Sequence, residues 1–94
     1  MNLTFEAEAE VEAREAFLYY FDIDDELGLQ FELEFRELLE RISTRPHSFP
    51  KFSNYRKAVM TRFPFCLFFK FEGEDVILLA VAHQRRRPGY WQKR

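Results

Sequence analysis

The spacing of hydrophobic positions changes twice along the chain and divides it into a strand, two helices and three further strands. Leu3 and Phe5 alternate with polar neighbours, which is typical of a short, half-buried strand. From Glu6 to about Asp22, apolar residues recur at spacings of three and four, which predicts an amphipathic helix; they are Ala9, Ala13, Ala16, Phe17, Tyr20 and Phe21. Most glutamates of this segment lie at other positions, and we assign them to the solvent-exposed face.

A second helix is predicted after a short break. Asp22-Ile23-Asp24-Asp25 interrupts the apolar stripe and supplies Asp24 or Asp25 as an N-cap. The apolar positions that follow keep helical spacing; they are Phe31, Phe35, Leu38, Leu39 and Ile42. The segment from Ser43 to Pro46 ends this helix, and the residues up to Asn54 are predicted to form a loop because they contain two prolines.

Three strands are predicted beyond the loop, at Tyr55 to Thr61, Phe65 to Phe71 and Val76 to Ala82. The last two are joined by a segment short enough for a hairpin turn, Glu72 to Asp75. The middle strand is almost continuously apolar, so we expect it to be central and covered on part of both faces. The order β-α-α-β-β-β predicts an α+β fold in which a helical hairpin packs on one face of a mainly antiparallel sheet.

Composition fits a small domain with a large core, since 18% of the 94 residues are aromatic. The one cysteine, Cys66, cannot form an intrachain disulfide, and its apolar neighbours suggest a thiol in or near the core of a protein in a reducing compartment. No apolar stretch has the length of a membrane span, and the first residues lack the features of a signal peptide. We therefore expect a cytoplasmic protein without a membrane partner.

Charge is segregated along the chain. Residues 1–42 carry 13 acidic and 3 basic side chains, whereas residues 43–94 carry 3 acidic and 11 basic ones, so the overall charge of −2 hides a dipolar molecule. A solvated run of charges is one interpretation, and a surface for phosphate groups or an acidic partner is the other. The candidates for such a surface are Arg56, Lys57, Arg62, Arg85, Arg86 and Arg87.

Other candidate residues have a structural and a functional interpretation. His83 follows an apolar strand and is either an acid or base near neutral pH or a histidine hydrogen-bonded at the strand end. Tyr90 and Trp91 either stack on a nucleic-acid base or anchor a protein groove, or they pack back over the sheet. No metal-ligand spacing, glycine-rich phosphate loop or Ser-His-Asp order is present, so we expect no metal and no cofactor.

Taken in order, these features resemble the toxins of the RelE/ParE superfamily over nearly the whole chain. The matching features are the opening strand, Glu8-Ala9-Glu10, Leu27-Gly28, Phe31, Pro46, Arg56, Phe63-Pro64-Phe65, Ala80-Val81-Ala82-His83, Arg85, Pro88 and Tyr90-Trp91. The resemblance implies a single toxin domain over residues 1–94, with a helical hairpin on a twisted antiparallel sheet. It also implies a type II toxin–antitoxin pair of the plasmid-stabilisation kind, in which a cognate antitoxin keeps the toxin inactive.

The superfamily has two main mechanisms. RelE-like members cleave messenger RNA on the ribosome with a cluster of cationic groups, whereas ParE-like members poison DNA gyrase by binding it. The strand from Phe65 to Phe69 resembles the family's aromatic-Arg-apolar-apolar-aromatic strand, which puts Cys66 where the nucleases carry an essential arginine. By the same resemblance, Val59 and Met60 fall near a second expected basic side chain. Arg85 matches a catalytic arginine by register, and Tyr90 or Trp91 replaces a stacking tyrosine.

The resemblance therefore favours a non-enzymatic, ParE-like inhibitor of growth with DNA gyrase as the first candidate target. The expected target-binding residues are Arg56, Lys57, Arg85, Arg86, Arg87, Tyr90 and Trp91. The alternative is a RelE-like, ribosome-dependent and metal-independent mRNA endoribonuclease, with Arg85, His83, Arg62 and Tyr90 as catalytic candidates. A degenerate toxin kept as a binding partner is a third interpretation. The antitoxin should offer an acidic, amphipathic segment that docks across the helices or adds to a sheet edge.

Overall fold

The computed structural model of the protein describes residues 2–87 and 89–94, with Lys93 described by its backbone alone. Pro88, which forms part of the resemblance, lies outside the described residues. The elements in chain order are β1 (Leu3–Phe5), α1 (Ala7–Ile23), α2 (Asp25–Thr44), β2 (Lys51–Phe52), β3 (Tyr55–Val59), β4 (Phe65–Glu72) and β5 (Asp75–His83). Two 3₁₀ turns span Pro46–Ser48 and Tyr90–Lys93. The predicted α+β order is confirmed, with β2 as an additional strand.

The five strands form one sheet in the order β1-β5-β4-β3-β2. β1 pairs in parallel with β5, and the other neighbours are antiparallel, so the sheet is mainly antiparallel as predicted. The central position predicted for β4 is also confirmed. The prediction of a loop up to Asn54 was wrong at Lys51–Phe52, which pair with the start of β3. Alternation cannot reveal this strand because it has only two residues and both are exposed.

β3 ends at Val59, two residues before its predicted end, because the following turn is fixed by α2. The carboxylate of Glu34 accepts hydrogen bonds from the backbone N–H groups of Thr61 and Arg62 and from the Thr61 hydroxyl. The backbone N–H groups of these two residues are therefore satisfied by a helix side chain instead of by a neighbouring strand.

The helical hairpin is tight at its turn. The Asp24 carboxylate accepts a hydrogen bond from the backbone N–H of Glu26 at 3.3 Å, which confirms the predicted N-cap. A Cβ at Gly28 would lie 2.7 Å from the Cα of Phe21, so glycine is what allows the two helices to approach this closely. Within residues 2–87 and 89–94, neither helix combines the length and the apolar character that a membrane crossing requires.

Each face of the sheet has its own hydrophobic core. The helices cover one face, and its fully buried side chains include Phe31, Ile42, Leu67 and Phe69. The opposite face carries a smaller cluster in which side chains of β4 and β5 are covered by a ring from the C-terminal 3₁₀ turn; its members are Cys66, Phe68, Leu79, Ala80, Ala82 and Trp91.

A β-bulge in β5 changes which residues face which core. Leu78 and Ala80 pair with successive residues of β4, so Leu79 is an extra residue between them. Leu78 lies under the helices, whereas Leu79 and Ala80 both belong to the opposite core. Val81 then lies on the helical side again. Alternation does not reveal the bulge because residues 76–82 are all apolar.

Candidate binding cleft

A cleft of about 290 Å³ opens on the sheet face that the helices leave uncovered. Its floor is formed by Cys66, Phe68 and Ala82, which the register of β4 and β5 directs to this face. Burial raises the pKa of the Cys66 thiol, and the nearby charge of Lys57 only partly opposes this shift. The floor is therefore apolar and uncharged at neutral pH.

Aromatic rings form the walls of the cleft. Trp91 stacks on Phe68 with ring centroids 4.1 Å apart, and Tyr55 meets the indole edge-on at 5.1 Å. Phe52 of β2 lies against Tyr55 at 6.1 Å and is 46% exposed. Trp91 thus packs back over the sheet and at the same time lines the cleft.

Three cationic side chains stand around this aromatic opening. Lys57 comes from β3, where it pairs with Phe68, and Arg86 and Arg87 come from the loop after β5. The guanidinium carbon of Arg86 lies 3.9 Å from the centroid of the Tyr90 ring, which is a close cation–π contact. A positive rim around an apolar, aromatic interior suits a partner group that is flat or apolar and carries negative charge nearby.

The remaining basic candidates lie outside the lining of the cleft. Arg56 points to the other side of β3, where it donates a hydrogen bond to the backbone carbonyl of Phe49 at 2.7 Å and lies over the ring of Phe71. Arg62 is exposed in the turn after β3, and Arg85 is exposed in the loop after β5. Strand alternation and loop geometry therefore separate these three arginines from Lys57, Arg86 and Arg87.

His83 ends β5 at the mouth of the cleft. Its Nδ1 accepts a hydrogen bond from the backbone N–H of Arg85 at 3.1 Å, and its ring meets Phe65 edge-on at 5.3 Å. With Nδ1 as the acceptor, the neutral imidazole carries its proton on Nε2. This arrangement fits the structural interpretation of His83, although the side chain still borders the cleft.

Glu12 is a half-buried carboxylate beside the cleft, although its sequence position predicted an exposed glutamate. It accepts hydrogen bonds from the Tyr90 hydroxyl and from the backbone N–H of Val81, the latter at 3.0 Å, and forms an ion pair with Arg94 at 3.0 Å. Burial, and second the bond to Glu12, raise the pKa of the Tyr90 hydroxyl, which stays protonated at neutral pH.

A signal for Glu12 was present in the sequence. It lies three residues after Ala9 and four before Ala16, within the apolar stripe of α1 that faces the sheet. The small side chains on either side leave room for a carboxylate below the helix. Within residues 2–87 and 89–94, no group of three or more His, Cys, Asp or Glu side chains converges as a metal site would require.

Comparisons of the sequence with protein-family models and with curated proteins give no match. Among solved structures, the fold is similar to that of a chain from the chromosomal ParDE toxin–antitoxin (TA) system of P. aeruginosa. The TM-score is 0.76 at 16% sequence identity, and the alignment covers 88% of this chain and 95% of that chain. The protein therefore has the fold of a ParDE chain, which is the fold that the resemblance implied.

Proposed function

We propose that the chain is the toxin of a type II toxin–antitoxin module, a single ParE-like domain over residues 1–94 that arrests growth by binding a host target in the cytoplasm. DNA gyrase is the first candidate target. The fold similarity to a ParDE chain supports the class of protein. The observation that carries the mode of action is the cleft, in which a cationic rim surrounds a floor of Cys66, Phe68 and Ala82 without a charged group.

The composition of the cleft favours binding over RNA cleavage. Attack by a 2′-hydroxyl needs a group that takes its proton and cations that stabilise charge on the scissile phosphate. Cys66 occupies the place that the resemblance gives to the nucleases' arginine, and its buried thiol is neutral. The Tyr90 hydroxyl donates to Glu12, and Arg85 lies outside the cleft lining. The groups that remain are suited to recognition; they are Lys57, Arg86, Arg87, Tyr55 and Trp91.

Ribosome-dependent, metal-independent mRNA cleavage is the second candidate function, and one observation favours it. Arg86 and Arg87 border the same cleft as the ring of Trp91, and a cation beside an aromatic ring also suits a nucleotide. The same cleft would serve both functions. The experiment must therefore answer two separate questions: which target is affected, and whether the cleft binds it.

A cognate antitoxin is the proposed partner. The exposed faces of α1 and α2 are mostly acidic, whereas the cleft side of the sheet is basic. An acidic, amphipathic segment is therefore expected to bind over the cleft rather than across the helices, because charge complementarity guides both the encounter and its specificity. Co-purification of the untagged product of the neighbouring gene tests this partner, and a monomer that captures nothing and is harmless to cells would contradict the proposal.

The first experiment is tightly regulated expression in bacterial cells, in which growth, DNA-break signalling and transcript integrity are followed together. Lys57, Arg86 and Arg87 are changed together to Gln in one variant. The matched control changes Arg14, Arg36 and Arg45 to Gln, which removes the same charge from exposed positions outside the cleft that are not candidate binding or catalytic residues. Growth arrest that the first variant loses and the control keeps is the expected result.

The remaining outcomes separate the candidate functions. Arrest with DNA-break signalling and intact transcripts supports gyrase as the target, and arrest with rapid transcript cleavage supports the endoribonuclease. Equal arrest by the native protein and the cleft variant would show that the cleft is not the binding surface. Absence of arrest in several bacterial hosts would support a degenerate toxin.

A further inference from the structure

We infer that Glu12 is a positioning residue: it holds residues 89–94, the C-terminal segment, against the sheet and thereby sets the shape of the binding cleft. The inference rests on the proposed use of this cleft for binding. Glu12 itself does not line the cleft, so its effect must pass through the residues that it contacts.

The Glu12 carboxylate joins three elements of the fold. Its Oε1 accepts a hydrogen bond from the backbone N–H of Val81 in β5 at 3.0 Å. Its Oε2 accepts from the Tyr90 hydroxyl, and Arg94 donates to Oε2 at 3.0 Å and to Oε1 at 3.3 Å. One side chain of α1 therefore binds both β5 and the C-terminal segment through charge-assisted bonds.

The sheet edge explains why a carboxylate is needed at this point. β1 pairs with β5 only as far as Leu78, and no strand among the described residues lies beside the rest of that edge. The backbone N–H of Val81 is satisfied by Glu12, and the carbonyl of Leu79 accepts from Arg94 at 2.6 Å. Backbone groups that are buried without a partner are costly, so the pair Glu12–Arg94 takes the place of the missing strand.

Tyr90 transmits the position of Glu12 to the cleft. Its ring supports the guanidinium of Arg86, and the next residue, Trp91, meets it edge-on at 5.6 Å. Trp91 in turn covers Phe68. The cation on the rim and the aromatic wall therefore both depend on where the Tyr90 ring is held.

The ion pair is shielded enough for its loss to matter. The side chains of Arg94 and Glu12 are 22% and 15% exposed, so salt and water screen their interaction less than on an open surface. Glutamine at position 12 carries no charge and has one acceptor oxygen instead of two, so Arg94 loses its carboxylate, and the Tyr90 hydroxyl and the Val81 N–H must share a single, weaker acceptor. The C-terminal segment should then leave the sheet more often, which exposes Trp91 and widens the cleft.

The test uses Glu12→Gln, which keeps the size of the side chain and removes its charge. The matched control is Glu10→Gln, because Glu10 lies on the same helix and also pairs with an arginine, Arg14, at 3.6 Å, but on the solvent side. Trp91 is the only tryptophan of the chain, so its fluorescence reports on the C-terminal segment directly. We expect a red-shifted emission and an acrylamide quenching constant that rises about twofold or more in Glu12→Gln, because local opening admits the quencher, and no change in Glu10→Gln.

Two further variants separate positioning from a general loss of stability. Tyr90→Phe removes the hydroxyl, and if Glu12 acts through it, the double variant should be quenched no more than Glu12→Gln alone. Arg94→Gln removes the other partner of the ion pair. It replaces Glu12→Gln in the quenching experiment if that variant gives too little folded protein. Each variant is measured well below its own urea midpoint, so that global unfolding does not contribute.

The outcomes distinguish this inference from the proposed function. If Glu12→Gln is quenched like the native protein, Glu12 does not position the segment and the inference fails, whatever the cells show. If quenching rises and cells expressing Glu12→Gln escape an arrest that Glu10→Gln still causes, both stand. If quenching rises but the native protein arrests no host, the positioning role stands and the proposed function fails.

Discussion

The indole of Trp91 lies almost flat on the ring of Phe68, with centroids 4.1 Å apart and planes inclined by 27°. The contact joins the C-terminal segment to the centre of β4, on the face opposite the helices. Trp91 is 7% exposed, and Tyr55 meets it edge-on from β3. A ring from outside the sheet therefore covers part of the face opposite α1 and α2.

Replacement of this ring should weaken the fold. We expect Trp91→Ala to lower the free energy of unfolding by about 2–4 kcal/mol, because a large buried ring is lost at the edge of an open cleft that can partly relax. Urea unfolding followed by far-UV circular dichroism measures the change. Tyr19→Ala is the control, since Tyr19 is 62% exposed and its loss should have little effect. Similar losses for the two variants would contradict the covering role of Trp91.

Tyr90 should make stability depend on alkaline pH. Burial, and second the hydrogen bond to Glu12, raise the pKa of its hydroxyl above the ordinary value of 10.0. The folded protein then binds this proton more tightly than the unfolded chain does, so the contribution is complete below about pH 10 and is lost as the pH rises further. The Tyr90→Phe variant has no hydroxyl at this position and therefore lacks this pH-dependent contribution.

The difference in urea midpoint between the native protein and Tyr90→Phe should therefore shrink from about pH 8 to about pH 11. Other titrating groups are common to the two proteins and cancel in the comparison. A difference that stays constant over this range would show that the Tyr90 hydroxyl has no special environment.

The turn between β3 and β4 should depend on one helix carboxylate. Glu34→Ala removes the acceptor for the N–H groups of Thr61 and Arg62, and we expect a loss of about 1–2 kcal/mol in the free energy of unfolding. Glu37→Ala makes the same chemical change at an exposed position of the same helix and should be nearly neutral. Faster amide hydrogen exchange at Thr61 in Glu34→Ala alone would locate the effect, and equal behaviour of the two variants would refute it.

Gly28 should not tolerate a methyl group. In Gly28→Ala the new Cβ would lie 2.7 Å from the backbone of Phe21, and the helices must move apart. The overpacking is expected to cost about 1–3 kcal/mol, which outweighs the gain in helix propensity of up to about 1 kcal/mol. Thermal unfolding measures the net loss, with Leu29→Ala as the control because Leu29 is 56% exposed. A more stable Gly28→Ala protein would mean that the two helices do not approach each other closely at Gly28 and Phe21.

The fold was largely predictable because its elements keep a clear period. The helical stripe that contains Phe31 and Ile42 is buried as predicted, and the continuously apolar β4 lies in the middle of the sheet. Two of the missed features, β2 and the bulge, leave no periodic signal. β2 is too short to alternate, and the bulge at Leu79 lies in a run where both faces are apolar.

The candidate site was less predictable, because charge alone does not show where a side chain points. Lys57, Arg86 and Arg87 meet at the cleft, whereas Arg56 is turned to the other side of its strand by alternation. Glu12 was missed because an acidic residue in an acidic helix looks solvated. Its position on the stripe of small residues was the available signal, but the backbone N–H that it satisfies comes from a strand nearly seventy residues later in the chain.

Because of the bulge at Leu79, the even-numbered residues of β5 face the helices before the bulge and the opposite core after it. If the same residues alternated without a bulge, Val81 and His83 would turn towards the cleft, and Ala80 and Ala82 would lie under α1. The floor of the cleft would gain a valine and an imidazole. The backbone N–H of Val81 would also no longer face the Glu12 carboxylate. Deletion of Leu79 would remove the bulge and leave Ala80 and Ala82 facing the cleft, so the extra residue is what allows Leu78 and Ala80, two positions apart in the sequence, to face opposite cores.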